Sequence, residues 1–552
     1  MHEFGRRAPA ARSAQPVALA AALVAAAAAM PAQAVDLNPG GDWQVRWDNT
    51  VRLSSALRVK GADLAAASPN TDDGNRNFGK GLVSARADLL SEFDAQRGGF
   101  GLRLSGAAWY DGVYNRSNDH DSPLSASRSS GPGNSFSAGT RELAGRKAEL
   151  LDAFVFGRHD FGGPVLSARL GRHSLIWGTS LFFGMNGMAK GMAPIDVYKL
   201  SLPGTQAKET TMPVPQLSAT LQLGADTSLE GYLQFGYKPT RLHPAGSYLS
   251  STDMLGDGAE RMFIGNATAN RCGSSTVPVS QRFNNCYLNF LGLDEGAKAR
   301  NLGLALNTRI ERLDADLGLY AVRYRDTSTL IQTNTGGGSY RLIVPADPIE
   351  AVGLSLARQI GEANVGLELS VREDQPLIAK EGVVTAADPS YAKGRTAHLN
   401  LSWTLLLPKA GFWEGASLLG ELAANTVLDI DPVKTSVAGR LPLGTEKLNR
   451  ERHRHASGLR VIFTPTWYQV LPGLDLSAPV NLGWSLRGTS MIDNSFPFSG
   501  SPDHAGELIL GLTGVYLSRW NANLSYIHYI GKAATQPVFD RNYLRLSLQA
   551  TF

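Results

Sequence analysis

From Trp43 to Lys60 the chain alternates. Trp43, Val45, Trp47, Val51, Leu53, Leu57 and Val59 share one face, broken only by Asn49 and Ser55, and Gln44, Arg46, Asp48, Thr50, Arg52, Ser54, Arg58 and Lys60 share the other. Successive side chains of an extended chain point to opposite faces, so this period of two predicts a long strand, oily on one side and wet on the other. The closing stretch RNYLRLSLQATF repeats the pattern, with Leu544, Leu546, Leu548, Ala550 and Phe552 opposite Tyr543, Arg545, Ser547, Gln549 and Thr551. Comparable segments recur near 82–94, 100–110, 147–158, 165–176, 214–223, 227–237, 299–310, 314–326, 349–359, 364–374, 395–407, 416–427, 455–468, 474–488, 506–518 and 520–530. Together they predict about eighteen strands, within a range of fourteen to eighteen.

The connections alternate in length. Tight stretches at 95–99, 159–164, 224–226, 360–363 and 469–473 separate long ones such as 61–81 and 111–146. Short turns on one rim and long loops on the other describe an all-β, transmembrane antiparallel β-barrel of the outer-membrane kind, closed so that no strand edge meets lipid. The terminal strand ending on Phe552 resembles the signal by which the barrel-assembly machinery accepts its substrates. Trp43, Trp109, Tyr110, Trp467, Tyr468, Tyr526 and Tyr529 near strand ends suit an interfacial girdle.

Composition agrees. Hydrophobic residues make up 43%, charged ones 18%, and Gly numbers 59, which fits a chain of many strands and turns. Residues 1–34 read as a signal peptide: Arg6, Arg7 and Arg12 precede an apolar run from Val17 to Met30, and Ala32-Gln33-Ala34 supplies a small-residue cleavage pattern. The barrel domain then spans 35–552. A net charge of only +4 gives no ground for a nucleic-acid partner. Cys272 and Cys286 lie in one long loop, 238–298, of an exported chain, which predicts a disulfide stapling that loop.

One stretch reads neither as strand nor as plain loop. Between Gly171 and Glu209 the chain carries Trp177, Phe182, Phe183, Met185, Met188, Met192 and Pro194 with little charge. Left in water it would form a large apolar patch. As the third long loop, at 177–213, it is expected to fold into the lumen as a plug or constriction. Trp177, Phe182, Phe183, Met185, Met188 and Met192 then either line an oily path for a ligand or form the plug's own core.

The blocks RWDNTVRLSSALRV, DDGNRNFGKGLVSARADLLSEFD, SGAAWYDGVYN, LLDAFVFGRHDFGGPVLSARLGRHSLIWGTSLFFGMNGMAKGMAPIDVYKL and HPAGSYLSSTDMLGDGAERMF resemble those of a large proteobacterial family known as domain of unknown function 1302. The resemblance runs from about Asp42 to Phe552. It implies an outer-membrane barrel in contact with outer-membrane lipid, often paired with a periplasmic lipid-carrier-like protein and an inner-membrane exporter of the resistance-nodulation-division type, and traffic in hydrophobic compounds. It carries over no catalytic residues and no cofactor.

On the expected lumen face the charges have both signs: Arg46 and Arg52 on the first strand, Arg86, Asp88 and Glu92 on the second, Arg103 on the third. Arg309, Arg323, Arg358, Arg372, Arg460, Arg487 and Arg545 follow. They are read either as a basic ladder for anionic head groups or as a salt-bridged, solvated wall. Ser525 and His528, three apart on one strand, face opposite ways, and His173 and Ser174 diverge likewise, so neither pair supplies a nucleophile with its base. Asp253, Asp257 and Glu260 match no calcium-loop spacing, and no metal is expected from them. The sequence therefore predicts a non-enzymatic channel or transporter for hydrophobic or amphipathic small molecules. A general diffusion porin and a closed interaction barrel are the alternatives.

Overall fold

The structure, a computed structural model, describes residues 35–36, 42–64, 68–122, 125–264, 286–296, 300–378, 383–431, 451–498, 504–533 and 536–552. The expected signal peptide and Cys272 lie outside the described residues.

Eighteen antiparallel strands form one closed ring. In chain order they are β1 Trp43–Arg58, β2 Gly81–Arg97, β3 Phe100–Asp111, β4 Arg146–Asp160, β5 Val165–His173, β6 Val214–Gln222, β7 Thr227–Gln234, β8 Leu302–Ile310 and β9 Ala315–Tyr324. There follow β10 Ile349–Ile360, β11 Ala363–Pro376, β12 Lys393–Leu407, β13 Gly415–Ile430, β14 His455–Leu471, β15 in two pieces (Leu474–Ser477 and Val480–Arg487), β16 Gly506–Tyr516, β17 Trp520–Ile530 and β18 Tyr543–Thr551. Each pairs with the next, and β1 pairs with β18 from Thr50↔Thr551 to Arg58↔Tyr543, so the ring has no open edge. At the seam the Asn49 amide donates to the Phe552 carbonyl at 2.7 Å and the Phe552 amide donates back at 2.9 Å.

The two faces of the wall differ as the alternation requires. Leu89, Leu104, Leu150, Leu170, Leu304, Leu319, Val352, Leu512 and Leu546 are exposed on the outer face, whereas Arg52, Arg86, Glu92, Ser105, Gln216, Glu368, Arg372, Asn400 and Glu421 are buried on the inner one. A closed sheet that is oily outside and polar inside is the only strand architecture that satisfies its backbone within hydrocarbon. Trp109 and Tyr529 do not join the outer girdle. Trp109 shares the inward face of β3 with Ser105, and its indole nitrogen donates to the Leu143 carbonyl at 2.8 Å. Tyr529 packs against the inner cluster that holds Ile527 and Tyr543. Arg323 turns outward at the loop rim beside Glu350, at 3.5 Å, whereas Arg358 borders an inner cavity at the short-turn end.

The short connections gather on one rim and the long ones on the other. Three long loops also build a second sheet that the alternation gave no reason to expect. In it Val383–Thr385, Leu330–Asn334, Ser339–Ile343, Tyr287–Asp294 and Arg261–Phe263 lie side by side in that order around a small core of Met262, Leu288, Ile331, Tyr340 and Leu342. Cys286, at its edge, is buried and disulfide-bonded.

Because Leu306 lies midway along β8 on the outer face, Leu306→Arg is expected to cost about 2–4 kcal/mol, the range for a cation at the bilayer midplane. The midpoint of urea unfolding in lipid vesicles checks this, with Glu311→Arg in the short β8–β9 turn as a neutral control.

Candidate functional site

Between β5 and β6 the chain makes contacts that reach far around the ring. Its first half, Leu175 to Met192, is held by polar groups on the inner faces of β11, β12 and β13. Glu368 of β11 accepts from the Thr179 amide at 2.7 Å and from the Met188 amide. Glu421 of β13 accepts from the Ser180 hydroxyl at 2.8 Å, from the Leu181 and Phe183 amides at 3.1 and 3.0 Å, and from the Phe182 amide. Arg372 of β11, buried on the same face, donates to the carbonyls of Asn186 and Gly187 at 2.7 and 2.8 Å. Carboxylates thus grip amides and a guanidinium grips carbonyls, which is how a segment without regular structure satisfies its backbone away from water.

Asn186 sits at the centre of this grip. Its amide nitrogen donates to Asn400 Oδ1 at 3.0 Å, and its Oδ1 faces His398 Nδ1 at 3.0 Å and accepts from Asn425 at 3.1 Å. Two glycines let the backbone come this close. A Cβ on Gly178, whose φ is +99°, would lie 2.1 Å from a Glu368 oxygen, and one on Gly187 would lie 2.6 Å away.

The apolar residues of the stretch fill the spaces between these polar anchors. Trp177 stacks on Tyr320 at 6.0 Å, meets Tyr232 edge-on at 5.1 Å, and donates from its indole nitrogen to Glu230 at 2.9 Å. Met188 and Met192 join the same cluster with Val322, Tyr324 and Ile349. Phe183 packs edge-on against Phe496 and Phe498, each at 5.7 Å, with Phe182 partly buried beside them, and Met185 is half-buried. Five of the six residues therefore divide between two clusters, Met185 belongs to neither, and the six do not form one continuous line.

The second half, Asp196 to Glu209, crosses to the opposite wall. Arg52 of β1 forms a bidentate pair with Glu209, both contacts at 3.1 Å, and Lys208 pairs with Glu92 of β2. Lys199 and Arg241 meet Glu149 of β4 at 2.6 and 2.9 Å, and Arg241 also reaches Asp196 at 2.6 Å. Arg86 lies over the rings of Trp109 and Tyr198, at 4.7 and 5.8 Å, and pairs with Asp88 at 2.8 Å. Burial pushes the Tyr198 phenol above its ordinary range. Arg103 meets Glu92, Asp94 at 2.8 Å and Asp152 at 3.5 Å, and Arg46, largely exposed at the short-turn end, meets Asp48 at 2.6 Å.

On the short-turn side of the first half lies a cavity of about 430 Å³. Thr179 and Leu181 form its ceiling, and Asn364, Ser402, Thr404, Arg309, Asp314 and Asp316 line its wall. Leu181 is 45% exposed there, a bare aliphatic side chain among polar groups.

His173 and Ser218, on adjacent strands, form a pair that sequence spacing does not show, with Nε2 and Oγ 2.8 Å apart. The other ring nitrogen faces the Gly171 carbonyl at 3.2 Å, where a triad would place a carboxylate, and the histidine is 1% exposed. Ser525 bonds to Asn523 at 2.7 Å and His528 to Asn542 at 2.8 Å, on separate faces.

Fold and site together define a transmembrane β-barrel with a polar lumen. The chain belongs to the family described as "Protein of unknown function (DUF1302)", which matches residues 15–552. The comparison with curated proteins gives no match. Among solved structures, Pseudomonas aeruginosa OccK2 (OpdF), in complex with glucuronate, is 11% identical with a TM-score of 0.40, over 92% of this chain and 98% of that one. Acinetobacter baumannii OccAB1 is 10% identical with a TM-score of 0.43, over 92% and 96%. Pseudomonas aeruginosa OpdK with vanillate is 10% identical with a TM-score of 0.41, over 92% and 98%.

Proposed function

We propose that the protein is an outer-membrane channel for small amphipathic organic molecules, with the 175–212 segment folded inward as its constriction. The observation that carries this reading is the mixed cavity beneath that segment. Leu181 offers an aliphatic contact, while Asn364, Ser402, Thr404 and the charged side chains opposite offer hydrogen bonds. A molecule with an apolar body and a polar end matches both halves, whereas a sugar leaves Leu181 unserved and a pure hydrocarbon strands the polar wall. Such a molecule reaches the cavity from the short-turn rim, which faces the periplasm when the long loops face outward. That rim is also where a periplasmic lipid-carrier-like partner would exchange cargo.

Saturable binding of fatty acids, sterol acids or aromatic acids to the folded barrel, followed by calorimetry, is the expected result. Replacing Leu181 with Asn removes about 1.5 kcal/mol of apolar burial and weakens that binding roughly ten-fold. Binding of neutral sugars with equal strength, unaffected by Leu181→Asn, would instead identify a general diffusion porin.

A further inference from the structure

The geometry points to a divalent-metal site in the long-loop cap of the barrel, formed by Asp72 and Asp73 of the β1–β2 loop and His120 of the β3–β4 loop. One ligand atom each from Asp72, Asp73 and His120 lie within 4.8 Å of one another, and all three residues are buried. His120 Nε2 is 3.0 Å from Asp73 Oδ1, and its Nδ1 accepts from the Ser122 amide at 3.2 Å, which fixes the ring with Nε2 toward the carboxylates. Asp253 of the β7–β8 loop lies behind Asp73, its Oδ2 accepting from the Asp73 amide at 3.1 Å.

Two independent observations show that this cluster is not closed by its own hydrogen bonds. Asp72 is 3% exposed, and among the described residues its Oδ1 has no hydrogen-bond partner, although its other oxygen is held by Arg76. Ser127, 4% exposed, donates its amide to the Asp73 carboxylate at 3.0 Å and leaves its hydroxyl without a partner in the same place. A buried carboxylate oxygen with nothing to accept from is costly unless a cation completes it.

Two guanidinium groups lie nearby. Arg76 takes one oxygen of Asp72 at 2.6 Å and reaches Asp121 at 2.6 Å, and Arg541 donates to the carbonyls of Tyr248 and Ser250.

Two carboxylates and one imidazole suit a first-row transition cation such as Zn²⁺ or Mn²⁺ better than Ca²⁺, whose sites are built of oxygen alone. The cation would add a further tie between the β1–β2 and β3–β4 loops, which already meet through Gly79 and Asp119, and so stiffen the outer cap above the lumen.

Chelator-stripped, folded full-length protein titrated with Zn²⁺ tests this. The expected result is uptake of one equivalent, weakened at least ten-fold by Asp72→Asn and by His120→Gln, in barrels whose heat-modifiable gel migration shows them assembled. If Asp72→Asn does not assemble, His120→Gln carries the test alone, because the imidazole bears no load in the barrel wall. No stoichiometric uptake, or uptake unchanged by either variant, overturns the site. Uptake of Ca²⁺ that is indifferent to His120→Gln overturns the transition-metal assignment.

Discussion

Changing Glu368 and Glu421 together to glutamine is expected to open the channel. The two carboxylates hold the Thr179–Phe183 and Met188 backbone, and each accepts only from donors supplied by the 175–192 segment or by neighbouring side chains such as Asn400. Glutamine keeps the shape but removes the charge, and its NH₂ faces amides that also donate. A charge-assisted hydrogen bond contributes about 1.5–3 kcal/mol, so losing one per carboxylate shifts the closed-to-open ratio by about 3 kcal/mol, roughly a hundred-fold. Single-channel recordings should show long-lived openings of larger conductance in the double variant, with each single variant between it and the parent. Unchanged recordings from an assembled barrel would mean that the segment is not what narrows the lumen.

The second large effect is on stability. Arg58, at the outer end of β1, pairs with Asp540 at 2.9 Å, both side chains at 0% exposure. It also donates to the carbonyls of Lys60 and Phe78 at 2.8 and 2.7 Å and to that of Asn75 at 3.1 Å. It thereby ties the β1–β2 loop and the β17–β18 loop to the seam where the ring closes. Arg58→Ala leaves Asp540 buried without that partner, and breaking a buried pair from one side costs about 3–5 kcal/mol. The expected outcome is an outer cap cut by low concentrations of protease and a lower urea midpoint. Asp540→Asn added to Arg58→Met should restore much of the loss, because the stranded charge is gone. Equal protease sensitivity in the single and double variants would assign the effect to packing.

The barrel was largely legible because lipid on one side and water on the other impose a strict period of two over nearly every strand. β1 and β18 show it most clearly, and even short β7, with Leu229 exposed and Tyr232 buried, keeps it. The outer sheet was not legible, since strands such as Ser339–Ile343 are brief and their partners lie in other loops. Trp109 could have been placed correctly, because it shares parity with Arg103, but aromatic character near a strand end suggested a girdle.

Glu368 and Glu421 were also readable by parity, each an acid on an inward position with apolar or glycine neighbours, in LELS and GELA. What they hold was not readable. Their partners lie 180 or more residues away in sequence, and no local pattern encodes a contact made across a lumen. The Met- and Phe-rich stretch announced burial through its composition, but not the polar grip that divides it into two clusters.

The measurement that tests the central claim most directly is single-channel conductance of the folded protein in planar bilayers, with and without fatty acids, sterols and aromatic acids. A small or closed pore whose residual current is blocked saturably by an amphiphile, with the block lost in a deletion of 180–194, is the predicted result. A wide, steady conductance indifferent to every member of the panel would contradict it.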